Sequence, residues 1–306
     1  MKTAAVLMST WNGEKYLKEQ IDSILNQAGV DVTLYIRDDG SQDGTVGMLR
    51  QIEAEKLNVH LYAEKNIGVG GSFMDLVYRV PQEYDLYAFA DQDDVWLDGK
   101  LARAAEMIGD REKPVLYCSN QMLTDAGMNQ LGLRHEKAPD TSWMQILCNN
   151  LLSGCTMVWN RAMQALLADP KRRPSPELLR KRIHDVWVGM AAAVTGEILY
   201  DPESYILYRQ HERNVVGVKN APVRKEWEKK LRNPALRNGR STLAKETAEK
   251  FGDRIADSMI ADRLRLYGRT VGGAKESLRL LKDREICRYS GEKEWEYRAK
   301  VLMKLF

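Results

Sequence analysis

Leu86-Tyr87-Ala88-Phe89-Ala90-Asp91-Gln92-Asp93-Asp94 is the stretch that decides how this chain is read. Five apolar residues in a row predict a buried strand, and an acidic cluster ends it. Three carboxylates in four residues repel one another unless a cation offsets their charge. Hard oxygen donors suit Mg2+ or Mn2+, which keeps bound water and completes its shell with substrate phosphates. An acidic turn that caps a helix starting near Leu97 would use the same residues and bind nothing.

Upstream of that strand, the chain alternates strand and helix signals. Ala4–Met8 reads as a buried strand, and Glu14–Gln27 has apolar residues at helical spacing. Val32–Ile36, Val59–Tyr62 and Leu86–Ala90 read as further strands, with helices at Thr45–Glu55 and Ser72–Val80 between them. This β-α-β-α-β-α-β order predicts an α/β fold with a largely parallel, Rossmann-like sheet flanked by helices. Ligands of such sheets bind beyond the carboxyl ends of the strands, where each acidic cluster falls. Further on, Val115–Ser119 and Thr156–Trp159 are strand candidates, Ile183–Val194 reads as helix, and Ile198–Tyr208 contains a strand. From about Lys219 the chain is polar, charged and helix-prone, with apolar positions such as Trp227, Leu231, Leu264 and Leu278. Two regions follow: 1–218, and a basic helical appendage over 219–306.

Several other clusters carry chemistry. Asp38-Asp39-Gly40-Ser41-Gln42-Asp43-Gly44-Thr45 follows a strand and opens a helix. As a calcium loop starting at Asp39 it fails, because Arg50 stands at position twelve where a glutamate is required. A turn whose carboxylate accepts from a ligand N–H, or a plain helix cap, fits it. Ser9-Thr10-Trp11-Asn12-Gly13-Glu14 offers an aromatic, an amide and a hydroxyl to stack on and hydrogen-bond a base. Lys65-Asn66-Ile67-Gly68-Val69-Gly70-Gly71-Ser72 has Phe73 where a dinucleotide fingerprint needs its third glycine, so it reads instead as a loop approaching phosphate or ribose. His184-Asp185 opens an apolar helix; the aspartate is either a cap favoured by the helix dipole or a general base. His211 follows a strand in Tyr208-Arg209-Gln210-His211.

Composition bounds the setting. The 306 residues are 44% hydrophobic, enough for one large core. Net charge is +3, unevenly spread: residues 1–218 carry 23 Lys/Arg against 30 Asp/Glu, and 219–306 carry 23 against 13. A basic tail on an acidic body fits contact with an anionic membrane surface, which flotation with anionic liposomes would test, or a solvated helical face. Acidic residues are mixed into that tail and no recognition motif is visible, which argues against nucleic acid. Cys118, Cys148, Cys155 and Cys287 have neither metal-ligand nor disulfide spacing, so a reducing compartment is expected. The longest apolar run, Val186–Gly196, is about half a membrane span. The expectation is a cytoplasmic protein, peripheral at the inner face of the plasma membrane if the tail binds lipid.

As an ordered set these motifs resemble the family-2 nucleotide-sugar glycosyltransferases of the GT-A fold. Ser9–Leu17, Asp38–Thr45 and Asn66-Ile67-Gly68 match that family's nucleotide-binding segments, and Asp91-Gln92-Asp93-Asp94-Val95-Trp96 resembles its Asp-x-Asp element. Gly154–Arg161, His184-Asp185-Val186-Trp187 and Tyr208-Arg209-Gln210-His211 look like the bacterial rhamnosyltransferase branch. The resemblance implies that Thr10, Trp11, Asn12, Glu14, Asp38 and Asp39 hold the nucleobase, with Lys65, Asn66 and Gly68 nearby. It places Asp91 by the ribose and a divalent cation, Mn2+ or Mg2+, with Asp93 and His211 as further metal ligands. Gly154, Cys155 and Trp187 fall near the sugar or the acceptor, and Asp185 is the catalytic base. The more common pair there is Glu-Asp; here the first position is His184.

The expected activity is inverting transfer of a sugar from a nucleoside-diphosphate donor to a hydroxyl of a cell-surface polysaccharide or lipid-linked glycan. Rhamnose from dTDP-rhamnose is the leading donor by the branch resemblance, and UDP-sugars are the other. A sugar nucleotidyltransferase would carry a Gly-rich basic phosphate loop near its start, which Ser9–Glu14 is not. A non-catalytic nucleotide-sugar binding protein is the other alternative, against which the joint presence of Asp93, Asp185 and His211 argues.

Overall fold

Alternate residues of the first strand point into different cores, so both faces of the sheet are covered. In β1 (Lys2–Thr10) Ala5 and Leu7 join one apolar cluster, while Ala4, Val6 and Met8 join the other. β2 (Val30–Asp38), β3 (Val59–Ala63) and β4 (Leu86–Ala90) run parallel to it in the order β3-β2-β1-β4. The computed structural model describes residues 1–211, 232–233, 237–269, 274–303 and 305–306.

Helices α1 (Leu17–Leu25), α2 (Thr45–Glu55) and α3 (Val69–Arg79) connect these strands. α1 buries Leu17, Ile21 and Ile24, the four- and three-residue spacing that keeps one face on the sheet. Beyond β4 the sheet departs from the parallel expectation. β5 (Val95–Trp96), β6 (Val115–Thr124), β7 (Gln130–Leu133), β8 (Val158–Asn160) and β9 (Glu197–Arg209) extend it as β4-β8-β6-β9-β5, with β7 on β6. β8 is antiparallel to both neighbours, β4 and β6, whereas β6 and β9 are parallel. The sheet is therefore mixed. The three-residue β8 enters from a tight 3-10 turn at Gly154–Thr156, which sets its opposite direction.

Helices α4 (Lys100–Ile108), α5 (Trp143–Asn149), α6 (Arg161–Ala168), α7 (Pro176–Lys181) and α8 (His184–Thr195) complete the body. α8 absorbs the longest apolar run of the sequence and buries nine of its twelve residues, so that run serves the core. No helix among the described residues is long and apolar enough to cross a membrane.

The C-terminal region is helical as expected: α9 (Gly239–Phe251), α10 (Ser258–Gly268), α11 (Ala274–Lys282), α12 (Arg284–Ser290) and α13 (Glu294–Leu302). These helices are built into the body. Phe251, Leu264, Tyr267, Leu280, Ile286 and Tyr297 share one apolar cluster with Trp187 and Phe73. The Phe251 and Trp187 rings lie 5.1 Å apart, and Arg172 holds Asp253 through two nitrogens at 2.8 and 2.7 Å. Leu278, expected as an apolar packing position, is instead 57% exposed. The expected boundary at 218/219, with Trp227 and Leu231, lies outside the described residues.

Deleting the Phe251 ring should therefore act as a core mutation. Phe251→Ala is expected to cost about 3–5 kcal/mol in urea unfolding. A loss below about 0.5 kcal/mol, as for an exposed position, would show these helices to be a loosely attached tail.

Candidate active site

Because β1, β2 and β4 are parallel, their carboxyl ends fall on one edge of the sheet. Thr10 pairs with Asp38 in register and Met8 with Ala90, so the segments after β1, β2 and β4 meet there. A cleft of about 1920 Å3 opens at that edge. Single small-molecule pockets run to roughly 1,000 Å3, so this one has room for two substrates.

One end of the cleft is knitted from the loops after β1, β2 and β3. Asp38 is buried and accepts from Thr10 Oγ1 (2.9 Å), the Gly40 and Ser41 amides, and Ser41 Oγ (2.5 Å). Its oxygens thus organise the turn, and Asp38 does not line the cleft. Asp39 accepts from the Ile67 and Gly68 amides and from Arg37 Nη1, tying the third loop to the second. Asn12, at φ +49°, accepts from the Gln42 amide through Oδ1, and Glu14 accepts from the Gly44 amide. A Cβ on Gly13 would stand 2.2 Å from Gln92 Oε1, so the first loop closes tightly on the Gln92 side chain of the acidic segment. Above this floor Trp11 is 56% exposed. Thr10, Trp11, Asn12, Glu14, Asp39, Asn66 and Gly68 all line the cleft, whereas Lys65 does not.

The acidic segment occupies the centre. Burial, and then the charges of Asp93 and Asp185, push the Asp91 carboxyl up to about 7. Asp94 is fully buried and is pushed well up by burial and by the charges of Asp93 and Asp91. Its Oδ1 accepts from the Arg209 amide, while Oδ2 has no partner. Lys100, also fully buried, supplies an internal positive charge. Its ammonium donates to the Cys155 carbonyl (2.5 Å) and sits 3.6 Å from the centre of the Trp96 ring. Burial lowers Lys100 to about 8, which leaves it protonated at neutral pH. Arg209 braces the other side: its Nε donates to the Asp93 carbonyl, and its Nη2 donates to Glu19. Asp93 meets His211 at 2.7 Å across 118 residues of chain, and the His211 ring stacks on Tyr16.

Two groups of candidate metal donors lie here, of which only the first, among the described residues, brings three ligand atoms close together. Asp91, Asp94 and Cys155 present ligand atoms within 4.8 Å of one another. Asp94 and Cys155 of that set are buried, burial raises the Cys155 thiol well above its usual range, and sulfur suits soft ions. Asp93 and His211 line the open cleft together with Asp91, which suits a hard cation that keeps water and meets phosphate.

Asp185 lines the same cleft, at the start of α8. Burial raises its carboxyl to about 6; the Val186 amide, Arg182 and Arg134 pull it back. Asn150 Nδ2 lies 3.5 Å from Asp185 Oδ2. His184 beside it stacks on Phe73 at 4.0 Å, and neither ring nitrogen has a partner. Burial lowers it to about 3, so it stays neutral at physiological pH. Its ring packs against Gly154, where a Cβ would stand 2.7 Å from Nε2. Gly154 and Cys155 line the cleft; Trp187 does not, being fully buried against Phe251.

Sequence reading passed over Lys100, Arg134 and Asn150. Lys100 carried a signal, since a lysine in the first turn of a helix opposes the helix dipole and needs another reason to be there. Arg134 and Asn150 carried none, because only the tertiary fold brings them to Asp185.

Residues 5–154 match the family described as Glycosyl transferase family 2. The dTDP-rhamnosyl transferase RfbG of Shigella flexneri is 29% identical over 220 residues, covering 69% of this chain and 73% of its own. The putative teichuronic acid biosynthesis glycosyltransferase TuaG of Bacillus subtilis is 26% identical over 57% of this chain and 68% of its own. The crystal structure of S. aureus TarS 1-349 in complex with UDP-GlcNAc superposes with a TM-score of 0.61 at 18% identity, covering all of this chain and 89% of that one, a likeness of fold. With an α/β architecture of GT-A type and these relatives, the chain belongs to the family-2 glycosyltransferases.

Proposed function

We propose that the chain moves a hexose from a nucleoside-diphosphate donor to a hydroxyl of a bacterial cell-surface polysaccharide or lipid-linked glycan, with inversion at the anomeric carbon. The observation that carries this reading is the single cleft lined by Asp91, Asp93, His211 and Asp185 together. Rhamnose from dTDP-rhamnose is the first reading of the donor, supported by the similarity to RfbG over most of both chains. A UDP-sugar is the second.

In this reading Trp11 and the loops knitted by Asp38 and Asp39 receive the nucleobase. Asp93 and His211, with Asp91, are the residues that would hold a divalent cation; bound there, it would offset charge on the diphosphate leaving group. Asp185 takes the proton from the acceptor hydroxyl as that oxygen bonds to the anomeric carbon. The bond from that carbon to the diphosphate oxygen breaks in the same step, and the nucleoside diphosphate departs. Holding both substrates in one cleft lowers the entropic barrier as well.

A base has to be ionised to act, and burial raises Asp185 to about 6. Transfer should therefore fall about tenfold per pH unit below that value and level off above it. Asp185→Asn should lose roughly 100- to 10,000-fold in kcat while donor affinity stays within about twofold. The raised carboxyl also means that the native state binds more protons than the unfolded chain between pH 3.8 and about 6. Its contribution to stability is thus present at low pH and lost as pH rises through that window. At neutral pH Asp185→Asn should therefore melt a few degrees higher than wild type. Near-normal transfer by Asp185→Asn would remove the base assignment.

Nucleotide-sugars should raise the melting temperature in the presence of Mn2+, because a ligand at 100 times its Kd adds about 2.7 kcal/mol to native stability. A panel of dTDP-rhamnose, UDP-glucose and UDP-N-acetylglucosamine identifies the donor, with dTDP-rhamnose expected to act most strongly. In calorimetry, Asp93→Ala should abolish the Mn2+ dependence of that binding. Equal affinity with and without Mn2+ in the wild-type chain would count against a metal-assisted site.

A further inference from the structure

Several interior and half-buried arginines of the body and its C-terminal helices are paired with carboxylates. Arg37 meets Asp39 and Asp75, Arg103 meets Asp201, Arg172 meets Asp253, Arg209 meets Glu19 and Arg240 meets Glu292. Arg134 is the contrast. It follows β7, is half-buried, lines the cleft, and has no carboxylate within ion-pair distance among the described residues. Leaving a partly desolvated guanidinium without an anion is costly.

The guanidinium is nevertheless held in place. Its backbone amide donates to the Gln121 carbonyl at 2.9 Å, and its Nη1 donates to Gln121 Oε1 at 3.0 Å. Gln121 is itself 1% exposed and donates through Nε2 to Cys155 Sγ at 3.0 Å, which ties the arginine to the 3-10 turn that lines the cleft. Arg134 helps to hold down the Asp185 carboxyl and the Cys155 thiol, which sets it on the Asp185 side of the cleft. A planar guanidinium with donors to spare suits phosphate or carboxylate, which it binds through two nitrogens at once.

We infer that Arg134 forms an anion subsite beside Asp185, which takes a phosphate or carboxylate carried by the acceptor next to its reacting hydroxyl. This rests on the reading above, in which the acceptor approaches Asp185. The same anion chemistry could come from the donor diphosphate. Arg134 acts on the Asp185 carboxyl, to which that reading brings the acceptor hydroxyl, and this favours the acceptor.

The test loads the wild-type chain with dTDP or UDP and Mn2+, then titrates it by calorimetry with glucose 1-phosphate, methyl glucuronide and methyl glucoside. At least one charged sugar should bind about tenfold or more tightly than methyl glucoside. Arg134→Gln should erase that preference while keeping nucleotide affinity within twofold and the melting temperature within a few degrees. Arg134→Lys should keep part of the preference. Equal binding of all three sugars, or of none, overturns the subsite. A parallel loss of nucleotide affinity in Arg134→Gln also overturns it and reassigns the guanidinium to the donor diphosphate. Failure of both nucleotides to bind the wild-type chain brings down the donor reading itself, and the subsite with it.

Discussion

The site depends on the crowding of negative charge at the tip of β4. Asp91, Asp93 and Asp94 leave one strand end together, and Asp185 lines the same cleft and adds its charge to that felt by Asp91. Two like charges about 4 Å apart repel by about 4 kcal/mol at an effective dielectric of 20. The fold does not disperse these groups. It sets the protonated Lys100 beneath them, donates the Arg209 amide to Asp94, and leaves Asp91 raised to about 7. The offset is incomplete at Asp91, which lines the cleft.

That arrangement is coupled to the rest of the molecule through α8. Its first turn carries Asp185 into the cleft, and Trp187 in the same turn packs into the core against Phe251 of α9. The C-terminal helices thereby help to hold the wall that carries Asp185. His184, between these two residues, is neutral and without a hydrogen-bond partner, held by stacking on Phe73 and contact with Gly154. Buried unpaired nitrogens cost stability, so an aromatic ring at this position is kept for its shape or for something that reaches it in a bound state.

Much of this was legible in the sequence, for identifiable reasons. The first four strands, the helices between them and α8 have strong periodicity and clear stops, and parallel pairing then fixes the shared edge. Glycine at 13 and the Asp-Gly turns marked loops that approach one another closely. The mixed second half of the sheet was not legible, because β5 and β8 are two and three residues long and carry almost no pattern. That the helices of the basic C-terminal region pack on the body was not legible for a different reason. Its apolar residues are spread over five short helices, and they become one surface only when those helices pack on Trp187 and its neighbours. Asp38 shows the limit of motif reading: the residue type and position were recognisable, but its four hydrogen bonds within and beside its own turn are a tertiary fact.

The most direct test of the carboxylate cluster as a metal and diphosphate site is anomalous diffraction at the manganese edge, from crystals grown with Mn2+ and dTDP or UDP. A single manganese peak bonded to Asp93 and to the diphosphate, on the side of the strand tips that faces Asp185, is the predicted result. A peak enclosed between Asp91, Asp94 and Cys155, or nucleotide bound with no manganese beside it, would contradict the account.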